Sequence, residues 1–270
     1  MDLLFEDIGD FDLTTIGLEI GSKNGIMRFS PKQNIILSGA KEVEKILVEQ
    51  NVKHTFYFND GSFVAKNNII LEVLSNAENL HKLWKISQNI FEYLSGIATY
   101  INTMTMKAKQ INPNIIIATT RKNFPGAKKL MMQGVINGGG TIHRLGLFDS
   151  ILIFKQHLVF LDNKDIGLRI KNLKSRFIEK KIIVEVDNFD DGIRFCEFGA
   201  DILQCEKMNL EELSRCVELK KRFPTILISA TGGINLENVE AFASTGVDFL
   251  VTSAPYHANP IDIKVEMHNE

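Results

Sequence analysis

Four cationic side chains stand in two adjacent pairs along the chain. Arg121 and Lys122 follow the run IIIATT, and His143 and Arg144 follow the glycine-rich run NGGGTI. A guanidinium binds phosphate or carboxylate through two parallel hydrogen bonds, whereas a lysine acts as a point charge. Three consecutive glycines indicate either a flexible loop or a backbone that approaches a ligand closely. The pairs predict a pocket for an anion, against the alternative of ordinary solvated surface charges.

Two carboxylates lie in runs that are typical of buried strands. Glu185 is within IIVEV, and Glu206 ends the run DILQCE. A buried carboxylate needs a partner, and magnesium, the neighbouring cations or ribose hydroxyls are the candidates.

Two further loops contain residues suited to phosphate. Gly232 and Gly233 follow the run TILIS, and Ser253 follows DFLVT. In βα barrels the loops after the last two strands, with the helix end that follows, often bind phosphate through free N–H groups. The alternative is that Gly-Gly only makes a tight turn before a helix.

The elements that must position these residues alternate between strands and helices. The predicted buried strands are IIIA at 115, ILIF at 151, IIVEV at 182, DILQC at 201, TILIS at 225 and DFLVT at 248. Helical segments lie between them, for example one that begins at Asn209 with Glu212 at the capping-box position. Six such strands predict a closed or nearly closed barrel, with a doubly wound sheet as the alternative.

The first part of the chain has a different pattern. Short strands with turn signals surround one helix at about 41–50, and a long helix follows at about 79–110. We therefore predict an α/β protein with an N-terminal α+β domain over 1–108, completed by the C-terminal segment 259–270, and a barrel domain over 109–258.

Composition excludes several classes of protein. The chain has 270 residues, a net charge of −2 and 44% hydrophobic residues, which favours globular domains and gives no overall attraction to nucleic acid or to a membrane. The acidic start lacks the features of a signal peptide, and no apolar run is long enough to span a bilayer, so we expect a cytoplasmic protein. The three cysteines show no metal-ligand spacing and are predicted to be reduced thiols.

Several motifs in order resemble the quinolinate phosphoribosyltransferase family over nearly the whole chain. They are EDIGDFDLTT, SGIAT, ATTRKNFPGAKK, GGGTIHRLGL, VEVDN, GADILQ, GGIN and TGVDFLVTSAPYHANPIDIKV. The resemblance implies an N-terminal α/β domain and an incomplete seven-stranded barrel. It also implies an obligate homodimer, or a higher oligomer of dimers, with a cation contributed by the partner subunit. The implied reaction transfers phosphoribose from phosphoribosyl pyrophosphate to a pyridine dicarboxylate, with Mg²⁺ and no organic cofactor.

The resemblance also assigns residues by position. It places Arg121, Lys122, His143 and Arg144 around the dicarboxylate and pyrophosphate, Glu185 and Glu206 near magnesium and the ribose, and Gly232, Gly233, Ser253 and His257 at the 5′-phosphate.

Four positions differ from the usual family residues. Phe154 stands where the family has a lysine, with Lys155 adjacent; Lys85 replaces the arginine that enters from the partner subunit; Glu206 replaces an aspartate; and Ser229 replaces a glutamate. We expect Lys85, Lys155 and Ser229 to contribute to substrate binding. Together with WKISQN and ILIFKQH, these differences resemble the ModD-type pyrophosphorylase branch of the family, which is associated with molybdate uptake.

The predicted function is therefore transfer of phosphoribose to an unidentified, small anionic acceptor. His143 either orients that acceptor or moves a proton. The alternatives are a quinolinate enzyme of NAD synthesis and a non-catalytic phosphate- or oxyanion-binding protein in molybdate homeostasis. A barrel lyase or isomerase is disfavoured, because no lysine is placed for a Schiff base.

Overall fold

The structure is a computed structural model, and it describes residues 4, 5, 9 and 11–269. The chain forms two compact units. Unit 1 contains residues 1–102, 124–139 and 256–270, and unit 2 contains residues 103–123 and 140–255. These bounds differ from the sequence-based ones because the helix at 77–111 runs through the expected boundary, and because the segment 124–139 makes its contacts with unit 1.

Unit 1 is built on an antiparallel sheet with the order β13-β1-β5-β3. Strands β2 and β4 form a separate two-stranded sheet. The C-terminal strand pairs with the first one, in a register that joins Pro31 to Ile263. The strands are β1 Asn24–Pro31, β2 Ile35–Ile36, β3 Lys53–Phe56, β4 Phe63–Val64, β5 Leu71–Asn76 and β13 Ile263–Asn269.

The helices of unit 1 supply much of its core. Phe91 in the long helix is fully buried, and its ring meets that of Phe29 edge-on with centroids 5.7 Å apart. The predicted helices at 41–50 and 79–110 are both present. The helices are α1 Leu13–Gly17, α2 Ala40–Glu49, α3 Ala77–Ile111, which continues into unit 2, and α4 Lys128–Asn137.

Unit 2 is an incomplete βα barrel with a seven-stranded parallel sheet of order β7-β6-β12-β11-β10-β9-β8. The sheet is open between β7 and β8, which are consecutive in the chain but lie at its two edges. The strands are β6 Ile116–Thr119, β7 Thr141–Ile142, β8 Ile151–Ile153, β9 Ile182–Val186, β10 Ile202–Glu206, β11 Leu227–Thr231 and β12 Phe249–Thr252. The barrel is confirmed, whereas the strand pattern had missed β7, because two residues after three glycines give no periodicity.

Helices connect the strands of unit 2. Asn209 caps α8 as predicted, because its side chain accepts from the N–H of Glu212 at 2.9 Å. The capping box is incomplete, since the Glu212 carboxylate accepts from the N–H of Phe189 instead. The helices are α5 Lys155–Leu158, α6 Ile166–Arg176, α7 Phe189–Glu197, α8 Leu210–Glu218 and α9 Val239–Ser244, with 3₁₀ turns at Asn163–Asp165 and Leu219–Lys221. A further 3₁₀ turn, Ala254–His257, begins in unit 2 and ends in unit 1.

Two expectations about the whole chain concern membranes and cysteines. Within the described residues, no helix has the length and apolar character needed to cross a membrane. Cys196, Cys205 and Cys216 are buried free thiols, as predicted.

Candidate active site

A cleft of about 450 Å³ in unit 2 brings six sequence-predicted residues together. We call it the charged cleft. Among the side chains that line it are Arg121, Lys122, His143, Arg144, Glu185 and Glu206.

The strands account for this convergence. Arg121 follows β6, His143 follows β7, and Glu206 is the last residue of β10. Parallel strands of a barrel point their carboxyl ends to the same edge, so the loops after them meet at one mouth. Residues that are far apart in the chain thus surround one cleft.

Arg144 is a buried cation, with only 6% of its surface exposed. Its guanidinium lies 5.7 Å from the centre of the Phe154 ring, and it makes no ion pair with any described residue. Burial lowers the pKa of Arg144, the charge of Arg121 lowers it further, and Asp149 and Glu185 act in the opposite direction. A buried charge without a close partner is unfavourable, so an anionic ligand here would stabilise the protein.

His143 is an uncharged imidazole at neutral pH. Burial, followed by the charge of Arg144, lowers the pKa of His143 to about 4. Its Nε2 atom is buried and has no hydrogen-bond partner among the described residues. The ring packs near Phe249, with centroids 6.0 Å apart. His143 can therefore offer a neutral nitrogen to a ligand without adding a fourth cation to the cleft.

The carboxylates sit on neighbouring strands, β9 and β10. Gln204 lies opposite Glu185 in the register, and its Nε2 donates to Glu185 Oε2 at 3.0 Å. Burial raises the pKa of Glu185, and the charge of Glu206 raises it further, whereas the hydrogen bond from Gln204 and the charge of Lys122 lower it. Cationic ligands or ribose hydroxyls would favour the ionised form.

A second cleft of about 210 Å³, the glycine cleft, contains Gly232, Gly233 and Ser253. It shares Thr120, Lys122 and Glu206 with the charged cleft. Gly232 has φ +93° and Gly233 has φ +75°, conformations that favour glycine. The two clefts therefore adjoin along the ends of β6, β10 and β11.

Comparison with known proteins assigns the family. A sequence model of the quinolinate phosphoribosyl transferase C-terminal domain matches residues 97–266, and one of the N-terminal domain matches residues 12–95. The chain belongs to the quinolinate phosphoribosyltransferase family. It is thus an enzyme of a pentosyltransferase family.

Individual relatives place the chain near the ModD branch. A protein of Pasteurella multocida (strain Pm70), named as a pyrophosphorylase ModD, is 36% identical over 98% of this chain and 94% of its own length. A protein of Methanothermobacter thermautotrophicus, named as a nicotinate-nucleotide pyrophosphorylase (carboxylating), is 29% identical over 99% of this chain and 98% of its own length. The nicotinate-nucleotide pyrophosphorylase structure of Francisella tularensis has a TM-score of 0.89 at 26% identity, over 98% and 93% of the two chains. The predicted resemblance to the family and its ModD branch is confirmed.

Other sequence-predicted residues do not line either cleft of this family member. Ser229 is fully buried, and its hydroxyl donates to the carbonyl of Leu203 at 3.3 Å. Lys155 is exposed and pairs with Asp187. Two others belong to unit 1: Lys85 donates to Gln88 at 3.1 Å, and His257 is an exposed residue at the end of a 3₁₀ turn.

The sequence analysis overlooked Gln204. It is 4% exposed and lines the charged cleft, yet within the run DILQC it was not distinguished from the strand. A signal was present, because Gln204 and Glu206 are two residues apart and share one face of a strand. A polar residue on that face, next to a predicted site carboxylate, indicates a position in the site.

Proposed function

We propose that this enzyme transfers phosphoribose from phosphoribosyl pyrophosphate to a small anionic acceptor, with release of pyrophosphate. The observation that carries the proposal is Arg144, which is buried without an ion pair to any described residue, in a cleft with Arg121, Lys122, Glu185 and Glu206. The guanidinium suits a carboxylate or phosphate of a ligand. A cleft with cations and carboxylates suits a reaction in which one part of the substrate becomes positive and another leaves as an anion.

The two clefts suggest how the substrates are arranged. We assign the 5′-phosphate to the glycine cleft, since backbone N–H groups of glycine loops bind phosphate. The ribose then lies at the shared wall, beside Glu206 and Lys122. Arg144, His143 and Phe154 line the charged cleft but not the glycine cleft, which leaves that end for the acceptor.

The chemistry breaks the bond from ribose C1′ to pyrophosphate and forms a bond from C1′ to the acceptor. Positive charge develops on the ribose while the pyrophosphate carries away the bonding electrons. Glu185 and Glu206 stabilise the positive ribose, and Arg121 and Lys122 neutralise the leaving pyrophosphate. Arg144 holds the anionic group of the acceptor, and the neutral His143 orients it.

The residues present fit a magnesium ion. Glu185 and Glu206 supply carboxylate oxygens on adjacent strands, and Mg²⁺ is commonly held by one or two carboxylates together with substrate phosphates. No group of three or more His, Cys, Asp or Glu side chains within the described part of the chain forms a metal site of its own, so the phosphates would complete the coordination. Magnesium, when bound, would neutralise charge on the pyrophosphate.

The test is calorimetric titration with phosphoribosyl pyrophosphate and Mg²⁺. We expect saturable binding near one molecule per subunit, and its loss in Arg121→Ala. Arg176→Ala is the matched control, since Arg176 is exposed and lines neither cleft. Absence of binding to the unchanged protein would contradict the proposal.

The same protein sample separates the alternatives. Turnover of quinolinate with release of carbon dioxide would identify a quinolinate enzyme of NAD synthesis. Saturable binding of molybdate without binding of phosphoribosyl pyrophosphate would favour an oxyanion-binding role in molybdate homeostasis. Neither result is expected from a phosphoribosyltransferase with a different acceptor.

We extend the proposal to a homodimer in which Lys85 of the partner subunit reaches the substrates. Lys85 is exposed, and its Nζ lies 4.4 Å from the centre of the Trp84 ring. Mixing Lys85→Ala with Arg144→Ala tests this arrangement, because a hybrid dimer would contain one site with both native residues. We expect each variant alone to have greatly reduced activity and the mixture to regain part of the lost activity. A mixture no more active than the separate variants would contradict the shared site.

A further inference from the structure

Gln204 lines the charged cleft and contains a buried hydrogen-bond acceptor. Its side chain is almost fully buried, and its Oε1 has no partner among the described residues. The orientation of the amide follows from Glu185, since only the Nε2 end can donate to an ionised carboxylate. The oxygen must therefore point away from Glu185. An amide oxygen accepts only, so a ligand that satisfies it has to donate an N–H or O–H.

The surroundings indicate which substrate supplies that donor. Gln204 lines the charged cleft and does not line the glycine cleft. The same is true of Arg144, His143 and Phe154. This is the end that the proposed arrangement leaves for the acceptor. Phe154 adds a flat apolar surface beside the guanidinium of Arg144. The acceptor end thus combines a cation, a planar wall, a neutral imidazole and an amide oxygen.

We propose that the acceptor is a planar heterocyclic acid with an N–H group: its anionic group pairs with Arg144, and its N–H donates to Gln204 Oε1. The inference rests on the proposed function and narrows its substrate class. Quinolinate at neutral pH has two carboxylates and a ring nitrogen, all of which only accept hydrogen bonds. It would leave Gln204 Oε1 unsatisfied, and a site built for a polar group discriminates strongly against a ligand that lacks its counterpart.

The experiment compares two probes that differ only at the nitrogen. Pyrrole-2-carboxylate has the anionic group, the planar ring and the N–H, whereas 1-methylpyrrole-2-carboxylate lacks the N–H. We expect the unchanged protein to bind the first at least about tenfold more tightly in calorimetry. Equal binding of both probes, or no binding of either, overturns the proposal. Selectivity that disappears when Mg²⁺ is added also overturns it, because the amide oxygen would then be a metal ligand.

Substitutions test whether Gln204 is the residue that causes the preference for the N–H probe. In Gln204→Met we expect the preference for the N–H probe to disappear, while Gln156→Met, a change at an exposed glutamine of the same cleft, keeps it. Preference that persists in a folded Gln204→Met protein overturns the assignment to Gln204. Thermal unfolding of each variant checks the fold, and the probe pair on the unchanged protein tests the proposal even if a variant fails to fold. Binding of phosphoribosyl pyrophosphate by the unchanged protein is measured separately, so failure of the proposed function is distinguished from failure of this inference.

Discussion

The two clefts of the barrel unit are built in different ways. Charged and polar side chains from the ends of separate strands line the charged cleft, and Arg144 and Gln204 are among those that are almost completely buried. The glycine cleft depends on backbone in left-handed conformations at Gly232 and Gly233. Backbone amides bind any phosphate of suitable size, whereas buried side chains discriminate between ligands. The difference supports our proposal that acceptor specificity lies in the charged cleft and phosphate binding in the glycine cleft.

The largest expected effect comes from Arg144. Arg144→Ala removes the cation that we assign to the acceptor, and we expect kcat/KM to fall by about 10²- to 10³-fold, as when a preorganised charge-stabilising group is lost. The free energy of unfolding should not fall comparably, because the native guanidinium is buried and forms no ion pair within the described part of the chain. Steady-state kinetics and urea unfolding measure the two effects. A parallel loss of activity and stability would indicate a structural role.

Gly232 and Gly233 form a matched pair for the glycine cleft. A Cβ at position 232 would lie 2.5 Å from Lys207 Cγ and 3.0 Å from Glu206 Oε1, whereas a Cβ at position 233 would have no atom of the described residues within 4 Å. Both alanine variants should lose about 1–2 kcal/mol of stability through positive φ. Only Gly232→Ala should also weaken binding of phosphoribosyl pyrophosphate, by about tenfold, since it displaces Glu206. Equal affinities of the two variants in calorimetry would refute this distinction.

Stability should depend on pH through His143. The pKa of His143 is near 6.5 in the unfolded protein and about 4 in the folded protein. As the pH falls, the unfolded state therefore takes up the proton first. The contribution of His143 to the free energy of unfolding is therefore fully present above pH 6.5. About 2 kcal/mol of this contribution is lost between pH 7.5 and pH 5. Urea unfolding at the two pH values should show this difference in the unchanged protein and in His157→Gln, but not in His143→Gln. An equal change in the free energy of unfolding in all three proteins would show that groups other than His143 cause it.

Lys155 should give the smallest effect. Unlike Arg144, it is exposed and already paired with a carboxylate, Asp187. An exposed ion pair contributes about 0–1 kcal/mol, so Lys155→Ala should change the free energy of unfolding by no more than that and kcat/KM by less than about threefold. A larger loss of activity with unchanged stability would show that Lys155 reaches a substrate, as the family resemblance implied.

The sequence predicted the long elements of the fold well. Apolar periodicity located the helix at 77–111 and six of the seven barrel strands, because burial imposes that periodicity on long elements. The short strand Thr141–Ile142 was missed, since its pairing with β6 depends on tertiary structure. The order of the strands, with β7 and β8 at opposite edges, comes from the structure and not from local pattern.

The site was predictable where residues follow strand ends. The four cations and two carboxylates stand at or near such ends, so barrel geometry brings them together. Ser229 was different, because its position in β11 points the hydroxyl at a backbone carbonyl and leaves it fully buried. Gln204 was missed because it was treated as part of an apolar strand, although it shares a strand face with Glu206. Only coordinates separate the bonded nitrogen from the unpartnered oxygen.

The pairing of β1 with β13 has a consequence for biosynthesis. The register joins Pro31 to Ile263, so the first strand emerges from the ribosome long before its partner has been translated. Until then β1 has one open edge, and such edges recruit other chains. The barrel strands β8 to β12, in contrast, pair with neighbours made shortly before or after them. We therefore expect β1 to be a segment of the nascent chain that benefits from protection by chaperones.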